Sequence, residues 1–103
     1  MLITIDRRAR KWHWLNVDSR HEFAWERVSP GDVLVELVPE HASGFHPFEV
    51  EAQIEGRCIG VLSQSVAAEL QGLVEAASHS GDRVFLQAQI VDPTRRLAVY
   101  SFD

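Results

Sequence analysis

The chain has 103 residues, of which 46% are hydrophobic and 24% are charged, a length and composition typical of one soluble globular domain. Its single cysteine, Cys58, excludes an internal disulfide, and no apolar run approaches the roughly 20 residues of a membrane span. At the N-terminus the charged residues follow a short apolar run, the reverse of their order in a signal peptide. We therefore expect a cytoplasmic protein in which residues 1–103 form one domain, with no membrane segment.

The first half of the chain has the pattern of short strands interrupted by one helix. Apolar and polar residues alternate near both ends of this half, which is the period of a strand, whereas Phe23, Ala24 and Val28 recur at helical spacing. The proline and glycine of the segment 29–31 end that helix, and a loop with two prolines and a glycine follows the third strand. The predicted elements are strands at 2–6, 11–17 and 32–38, a short helix at 21–28 and a loop at 39–48.

The second half has the pattern of two hairpins with a long helix between them. Glu55 and Gly56 form the predicted turn of the first hairpin, and Gly60 indicates a bulge or a close approach of another backbone. Because both faces of 57–62 are apolar, we expect this strand to be central. A serine before the helix is a candidate cap, and Gly81 is its predicted stop. The predicted elements are strands at 49–54 and 57–62, a helix at 65–78 and strands at 83–91 and 96–102. The predicted apolar face of the helix consists of Val66, Leu70, Leu73, Val74 and Ala77.

The number and kind of these elements indicate the fold class. Six or seven short strands and two helices in a domain of this size predict an α+β fold in which the strands dominate. Two hairpins imply that most neighbouring strands are antiparallel. We therefore predict a small, partly closed antiparallel β-barrel that carries two helices, one of them long.

No arrangement of residues in the sequence is typical of an active site. The five histidines are scattered, and no HExxH, HxH or CxxC spacing for a metal occurs. Cys58 lies in a strand predicted to be central, where a cysteine is usually inert, and no GxSxG turn or phosphate-binding glycine loop occurs. We therefore expect a protein that is not an enzyme and that uses no metal and no cofactor.

The stretch RRARKWHW at 7–14 combines basic and aromatic residues in a chain whose formal charge is −5. Proteins that bind single-stranded nucleic acid use this combination, with arginine for the phosphates and aromatic rings for the bases. Strand alternation puts Trp12 and Trp14 on one side, and we expect that side to face the core. Arg7, Arg8 and Arg10 then remain available to a ligand or to solvent.

Charge divides unevenly along the chain. Residues 1–31 include six basic and four acidic residues, a formal +2, whereas residues 32–103 include four basic and eleven acidic residues, a formal −7. The stretch 32–55 contains six acids and no base. Such a division predicts one surface that tolerates a polyanion and another that repels it.

The segment 29–74 contains an ordered set of motifs. PGD opens a strand that ends in LVPE, a loop leads to VEAQIEGRCIGVLS, and a helix with AAEL follows. Over about half of the chain, this order resembles the HIRAN domain family. The resemblance implies a small OB-like barrel with two helices and a function in capturing the 3′ end of single-stranded DNA.

The same resemblance implies the residues of a binding site. An ungapped alignment places Ser43, Gly44, Phe45 and His46 at the family's Asn-Pro-Tyr-Asp loop. It also places Phe23 near the aromatic residue of the family's first strand. Phe45 and Phe23 are then expected to stack on bases, while Ser43 and His46 replace polar groups of the family's loop.

Two functions follow from these observations. The first is a non-catalytic module that binds single-stranded DNA or DNA ends, with phosphate contacts from Arg7, Arg8, Arg10 and Arg57. The alternative is a protein–protein interaction or auxiliary module, serving a DNA-processing protein, on a HIRAN-like fold that has lost DNA-end binding. The acidic stretch 32–55 contains the aligned loop and favours the alternative, because phosphate neutralisation dominates affinity for nucleic acid. The sequence leaves the oligomeric state open.

Overall fold

Strands make up most of the fold. The computed structural model describes residues 2–5, 11–40 and 49–102, and the strands among them form one curled sheet. The elements are β1 (Leu2–Ile5), β2 (Trp12–Trp14), a 3₁₀ helix (Ser19–Arg27), β3 (Gly31–Glu40), β4 (Glu49–Ile54), β5 (Arg57–Val61), α1 (Gln64–Ser80), β6 (Arg83–Asp92) and β7 (Leu97–Ser101). The predicted α+β class, with dominant strands and two helices, is confirmed.

Six strands follow the order β2-β7-β6-β3-β4-β5, and all neighbours in this order are antiparallel. Strand β1 instead runs parallel to the first half of β6, with Ile5 opposite Leu86. Strand β7 pairs with the second half of β6, where Tyr100 lies opposite Ala88. Because β3 occupies the other edge of β6, β1 and β7 share one edge of that strand, end to end.

The two ends of the strand order meet at one main-chain bridge. Asn16 follows β2 and Val61 ends β5, and each donates its amide to the other's carbonyl, at 3.0 and 2.9 Å. This bridge makes the sheet a partly closed barrel, as predicted. Gly60 permits it, because a Cβ there would lie 2.7 Å from both the Asn16 carbonyl oxygen and the Leu15 side chain. The predicted close approach is confirmed, but the central position predicted for 57–62 is wrong, since β5 ends the strand order.

Helix α1 packs its apolar face against β3, β4 and β6. The buried residues of α1 are Val66, Ala67, Leu70, Val74 and Ala77. Leu73 was predicted to join them, but its side chain is 40% exposed. At 100° per residue Leu73 lies at the margin of the arc that the buried residues occupy, so solvent reaches it.

The two ends of α1 are held differently. Gly81 has a φ of 75°, and its amide donates to the carbonyls of Ala77 and Ser78, so the predicted stop is confirmed. Ser63 occupies the position before the helix, but its side chain makes no capping hydrogen bond. Instead, the Ser63 amide donates to the Tyr100 hydroxyl at 2.9 Å. The start of α1 is therefore tied to β7.

The helix predicted at 21–28 is a 3₁₀ helix that begins two residues earlier. Its start is fixed by a capping box, in which the Asp18 amide donates to Nδ1 of His21 at 3.1 Å. On its buried side, the Trp25 indole donates to the Ile59 carbonyl at 2.7 Å. This bond attaches the 3₁₀ helix to β5.

Candidate nucleic-acid interface

Trp12 and Trp14 point out of the barrel, contrary to the prediction that they face the core. Trp12 is 49% exposed and Trp14 is 58% exposed. His13, between them, points inward, where its ring stacks on Tyr100 with centroids 5.3 Å apart and its Nε2 donates to the Phe102 carbonyl at 2.7 Å. Alternation predicted that the tryptophans share a side, but His13 occupies the side that faces the core. The inward position of His13 depends on Tyr100 and Phe102 at the far end of the chain, so the local sequence carried no signal for this orientation.

Trp12 and Trp14 together form what we call the aromatic platform. On β7, Val99 lies opposite Trp14 and Ser101 lies opposite Trp12. One strand further, Gln89 of β6 lies opposite Val99. Ser101 is buried, so the platform continues into the half-buried Val99 and the exposed Gln89, which offer an apolar contact and a hydrogen-bonding amide beside the rings.

The basic residues predicted to contact phosphate come directly before the platform in sequence. Those predicted in this segment are Arg7, Arg8 and Arg10, and they lie outside the described residues. Strand β1 ends at Ile5, and the carbonyl of Lys11 accepts from the Phe102 amide at 3.2 Å. Lys11 itself is exposed.

Arg57, the fourth predicted phosphate contact, is not brought to the platform. It is exposed and opens β5. The bridge between Asn16 and Val61 is antiparallel, so Trp14 and Arg57 extend from it in opposite directions. They are separated by six residue steps along the strands, or about 20 Å.

Phe23 is 79% exposed and lies on the 3₁₀ helix, on a different surface from the platform. The 3₁₀ helix packs against β5, the neighbour of β4 in the sheet. The aligned loop residues Ser43, Phe45 and His46 lie outside the described residues, and the chain re-enters the sheet after them at β4. The 3₁₀ helix and β4 together form what we call the acidic region, whose described acids include Glu22, Glu26, Glu49 and Glu51.

His21 is the titratable group buried in the acidic region. Burial lowers the pKa of His21 below its ordinary value of 6.5, and the neighbouring Asp18 carboxylate opposes this effect in part. The neutral ring is also the form that accepts the Asp18 amide at 3.1 Å. His21 is therefore held neutral as part of the helix cap, and its environment explains this without a ligand.

Three arginines of the described residues are compensated by carboxylates. They are Arg20 with Asp18 at 3.0 Å, Arg83 with Glu36 at 2.8 Å, and Arg96 with Glu22 at 2.7 Å. The hydrogen bond from Arg83 to Glu36 raises the pKa of that guanidinium. These pairs add little net positive charge to the surface, which leaves the segment before the platform as the main concentration of basic residues in the sequence.

Within residues 2–5, 11–40 and 49–102, no three or more histidine, cysteine, aspartate or glutamate side chains are grouped as a metal ion would require. Nor does this part of the chain contain a helix with the length and apolar character needed to cross a membrane. Cys58 is half-buried, with its Sγ 3.3 Å from the Gly60 carbonyl oxygen.

In comparisons with known proteins, no protein-family model, no curated protein and no solved structure gives a significant match to this chain. The resemblance of the segment 29–74 to HIRAN domains therefore stays a prediction that depends on the motifs quoted above. The candidate interface is argued from the chain's own residues.

Proposed function

We propose that this domain is a non-catalytic module that binds single-stranded nucleic acid, specifically DNA, on the aromatic platform. The observation that carries the proposal is the exposure of Trp12 and Trp14 on the strand that follows the basic residues of 7–11. Proteins of this kind bind phosphates with basic side chains and stack bases on exposed rings. The proposal gives Trp12 and Trp14 the stacking role that the resemblance implied for Phe45 and Phe23.

The spacing and support of the two rings suit stacking. Residues two apart in a strand are separated by about 6.6 Å, and both rings lie on one side, which leaves space for one base on each. His13 holds this arrangement from inside the barrel through its stack on Tyr100 and its hydrogen bond to Phe102. A platform fixed in this way loses little conformational freedom when a strand binds.

The local charge supports the proposal despite the net charge of −5. Four of the ten basic residues lie within 7–11, directly before the platform. At physiological salt the Debye length is about 8 Å, so acids on distant strands are largely screened from a strand bound there. The 3₁₀ helix has two acids and two bases, whereas β4 has two acids and no base, which favours binding of phosphate on the platform over binding on β4.

One observation favours the second candidate function, protein–protein interaction. Strand β2 is the first of the strand order, and it pairs with β7, with Trp12 opposite Ser101 and Trp14 opposite Val99. Within the described residues, its other side is met only after β2 has ended, by the bridge from Asn16 to Val61. Such an edge can pair with an extended segment of another protein, here a DNA-processing protein.

The test is a titration with single-stranded oligothymidylate at two salt concentrations. Tryptophan emission should be quenched, because Trp12 and Trp14 are exposed whereas Trp25 is buried. Anisotropy of a fluorescein-labelled strand gives the affinity of variants that lack a platform ring. Trp12→Ala and Trp14→Ala are each expected to weaken binding by roughly 1–3 kcal/mol with little change in salt dependence.

Leu73→Ala is the matched control, because it removes an exposed apolar side chain from α1, away from the platform. It should leave strand binding unchanged. Undetectable binding of the natural chain at low salt would overturn the proposed function. In that case, binding of an extended peptide at the edge of β2 would support protein–protein interaction. The Trp12→Pro substitution should abolish this peptide binding.

A further inference from the structure

Beside the aromatic platform lies a cleft of about 430 Å³ that the proposed function does not yet use. It opens between the start of the 3₁₀ helix and the turn from β6 to β7. Its walls include Val17, Leu97, Asp18, Arg95 and Arg96. The volume is within the range of sites that hold small molecules, roughly 300–1,000 Å³.

Strand β7 links the cleft to the platform. Ala98 and Tyr100 of β7 are buried, so Leu97 and Val99, which alternate with them, face outward. Val99 lies opposite Trp14. Leu97, in the wall of the cleft, is two residues further along, a step of about 6.6 Å. A strand that stacks a base on Trp14 therefore meets the cleft with a neighbouring nucleotide.

Two of the charged groups in the cleft already have close partners. Both carboxylate oxygens of Asp18 accept from Nε of Arg20, at 3.0 Å each. Arg96 donates to the Glu22 carboxylate at 2.7 Å. These pairs are close to neutral together and fix the sides of the cleft.

Arg95 differs from these groups. Its Nε lies 3.8 Å from the Asp92 carboxylate, beyond hydrogen-bonding distance, and its side chain is 79% exposed. Its backbone is held in place, because its amide donates to the Asp92 carboxylate at 3.3 Å. A guanidinium has five N–H donors in a fixed fork, and a fork on a fixed backbone suits the oxygens of a phosphate.

We infer that this cleft is a nucleotide subsite, in which Arg95 binds a phosphate and the apolar walls at Val17 and Leu97 contact the base. The nucleotide in the subsite can belong to a strand bound on the platform, and in that case the inference rests on the proposed function. The nucleotide can also be a free mononucleotide, which has the same chemistry. The subsite lengthens the stretch of nucleic acid that the domain contacts by one nucleotide beyond the two tryptophans.

The experiment compares Arg95→Ala with Arg27→Ala, which removes the same charge from an exposed residue at the end of the 3₁₀ helix, outside the cleft. Oligothymidylates of increasing length are titrated against the natural chain and both variants. Arg95→Ala should weaken binding of the longer strands about tenfold, the effect of one hydrogen-bonded charge contact. The length at which affinity stops rising should become one nucleotide shorter, while the extent of tryptophan quenching stays the same.

A second measurement separates this inference from the proposed function. Thymidine monophosphate is added to the labelled protein, and the amide NMR signals of Arg95, Leu97 and Ser19 are followed. Shifts in the cleft without any binding of strands would end the proposed function and support the subsite. Strand binding that Arg95→Ala and Arg27→Ala weaken equally, with no shifts from the mononucleotide, would overturn the subsite and leave the proposed function in place.

Discussion

The aromatic platform and the acidic region use tryptophan in opposite ways. On β2, Trp12 and Trp14 are about half exposed, and His13 holds the strand from inside. In the 3₁₀ helix, Trp25 is 4% exposed, and its indole donates to the buried Ile59 carbonyl. A ring with an internal hydrogen bond stabilises the fold, whereas a ring held at the surface beside basic residues is available to a ligand.

The two regions also show why the net charge is a poor guide to the ligand of this chain. The total of −5 combines a formal +4 at 7–11 with a formal −9 over the rest of the chain. Affinity for a polyanion depends on the charges within about one Debye length of it, roughly 8–10 Å. The distribution of charge over the barrel therefore decides which surface a strand approaches.

The largest expected effect distinguishes the two kinds of tryptophan by stability. Trp25→Ala should lower the free energy of unfolding by about 3–5 kcal/mol, because it removes a buried ring and leaves the Ile59 carbonyl without its donor. Trp14→Ala should change it by no more than about 0.5 kcal/mol, since the ring lies largely in solvent. Urea denaturation followed by circular dichroism measures both. Equal losses would mean that Trp14 belongs to the core and that the platform is wrongly assigned.

The next effect distinguishes the two surfaces by binding. Trp14→Ala should weaken binding of a single strand by roughly 1–3 kcal/mol, whereas Phe45→Ala and Phe23→Ala should leave it nearly unchanged. Phe23 lies on the 3₁₀ helix, on a different surface from the platform, and the proposal gives the stacking role to the tryptophans alone. Anisotropy with one labelled strand ranks the three variants.

The opposite ranking would favour the site that the HIRAN resemblance implies. A loss confined to Phe45→Ala, with binding that strengthens as the pH falls toward 6, would place the phosphate at His46, whose protonation adds a positive charge. Strand binding would then occur in the acidic region, and the comparison between the two surfaces would be reversed.

The sequence predicted the fold better than the edges of its elements. Hydrophobic alternation and the Glu55–Gly56 turn identified the first hairpin, and apolar residues at helical spacing identified the long helix, because these signals are local. The bridge that closes the barrel joins Asn16 to Val61, residues far apart in sequence, and only Gly60 indicated it. The exposure of Leu73 depends on how α1 lies on the sheet, which periodicity alone does not determine.

The candidate site was predicted in its residue types and misjudged in its orientation. Alternation requires that Trp12 and Trp14 share a face, but which face is buried depends on the partner strand. His13 points inward here, because its ring stacks on Tyr100 and its Nε2 donates to the Phe102 carbonyl. These partners come from the far end of the chain, so no pattern near residue 12 could identify them.

A smaller effect concerns the basic segment and its salt dependence. Replacing Arg7, Arg8 and Arg10 together with alanine should reduce the slope of log affinity against log salt by about 2, which is roughly 0.7 for each phosphate contact on a single strand. Arg57→Ala should leave that slope unchanged, because Arg57 lies about 20 Å from Trp14 along the strands. Titrations at four salt concentrations give each slope. A change on Arg57→Ala as large as that for one of the other arginines would show that strands also bind at β5.

The smallest expected effect concerns His21 and the stability of the acidic region at low pH. Burial lowers the pKa of His21 in the folded chain below 6.5, so between these two values the unfolded chain takes up a proton that the folded chain does not. This contribution to stability is complete above pH 6.5 and is lost as the pH falls from 6.5 toward the folded pKa, by at most about 1.4 kcal/mol per pH unit.

His21→Gln is the matched variant, because glutamine also accepts the Asp18 amide at this position of a capping box but does not titrate. The other histidines and the carboxylates of Asp18, Glu49 and Glu51 are present in both proteins. The difference in unfolding free energy between the two chains should therefore shift in favour of the variant as the pH is lowered. A difference that stays constant between pH 7.5 and 5 would mean that folding does not lower the pKa of His21.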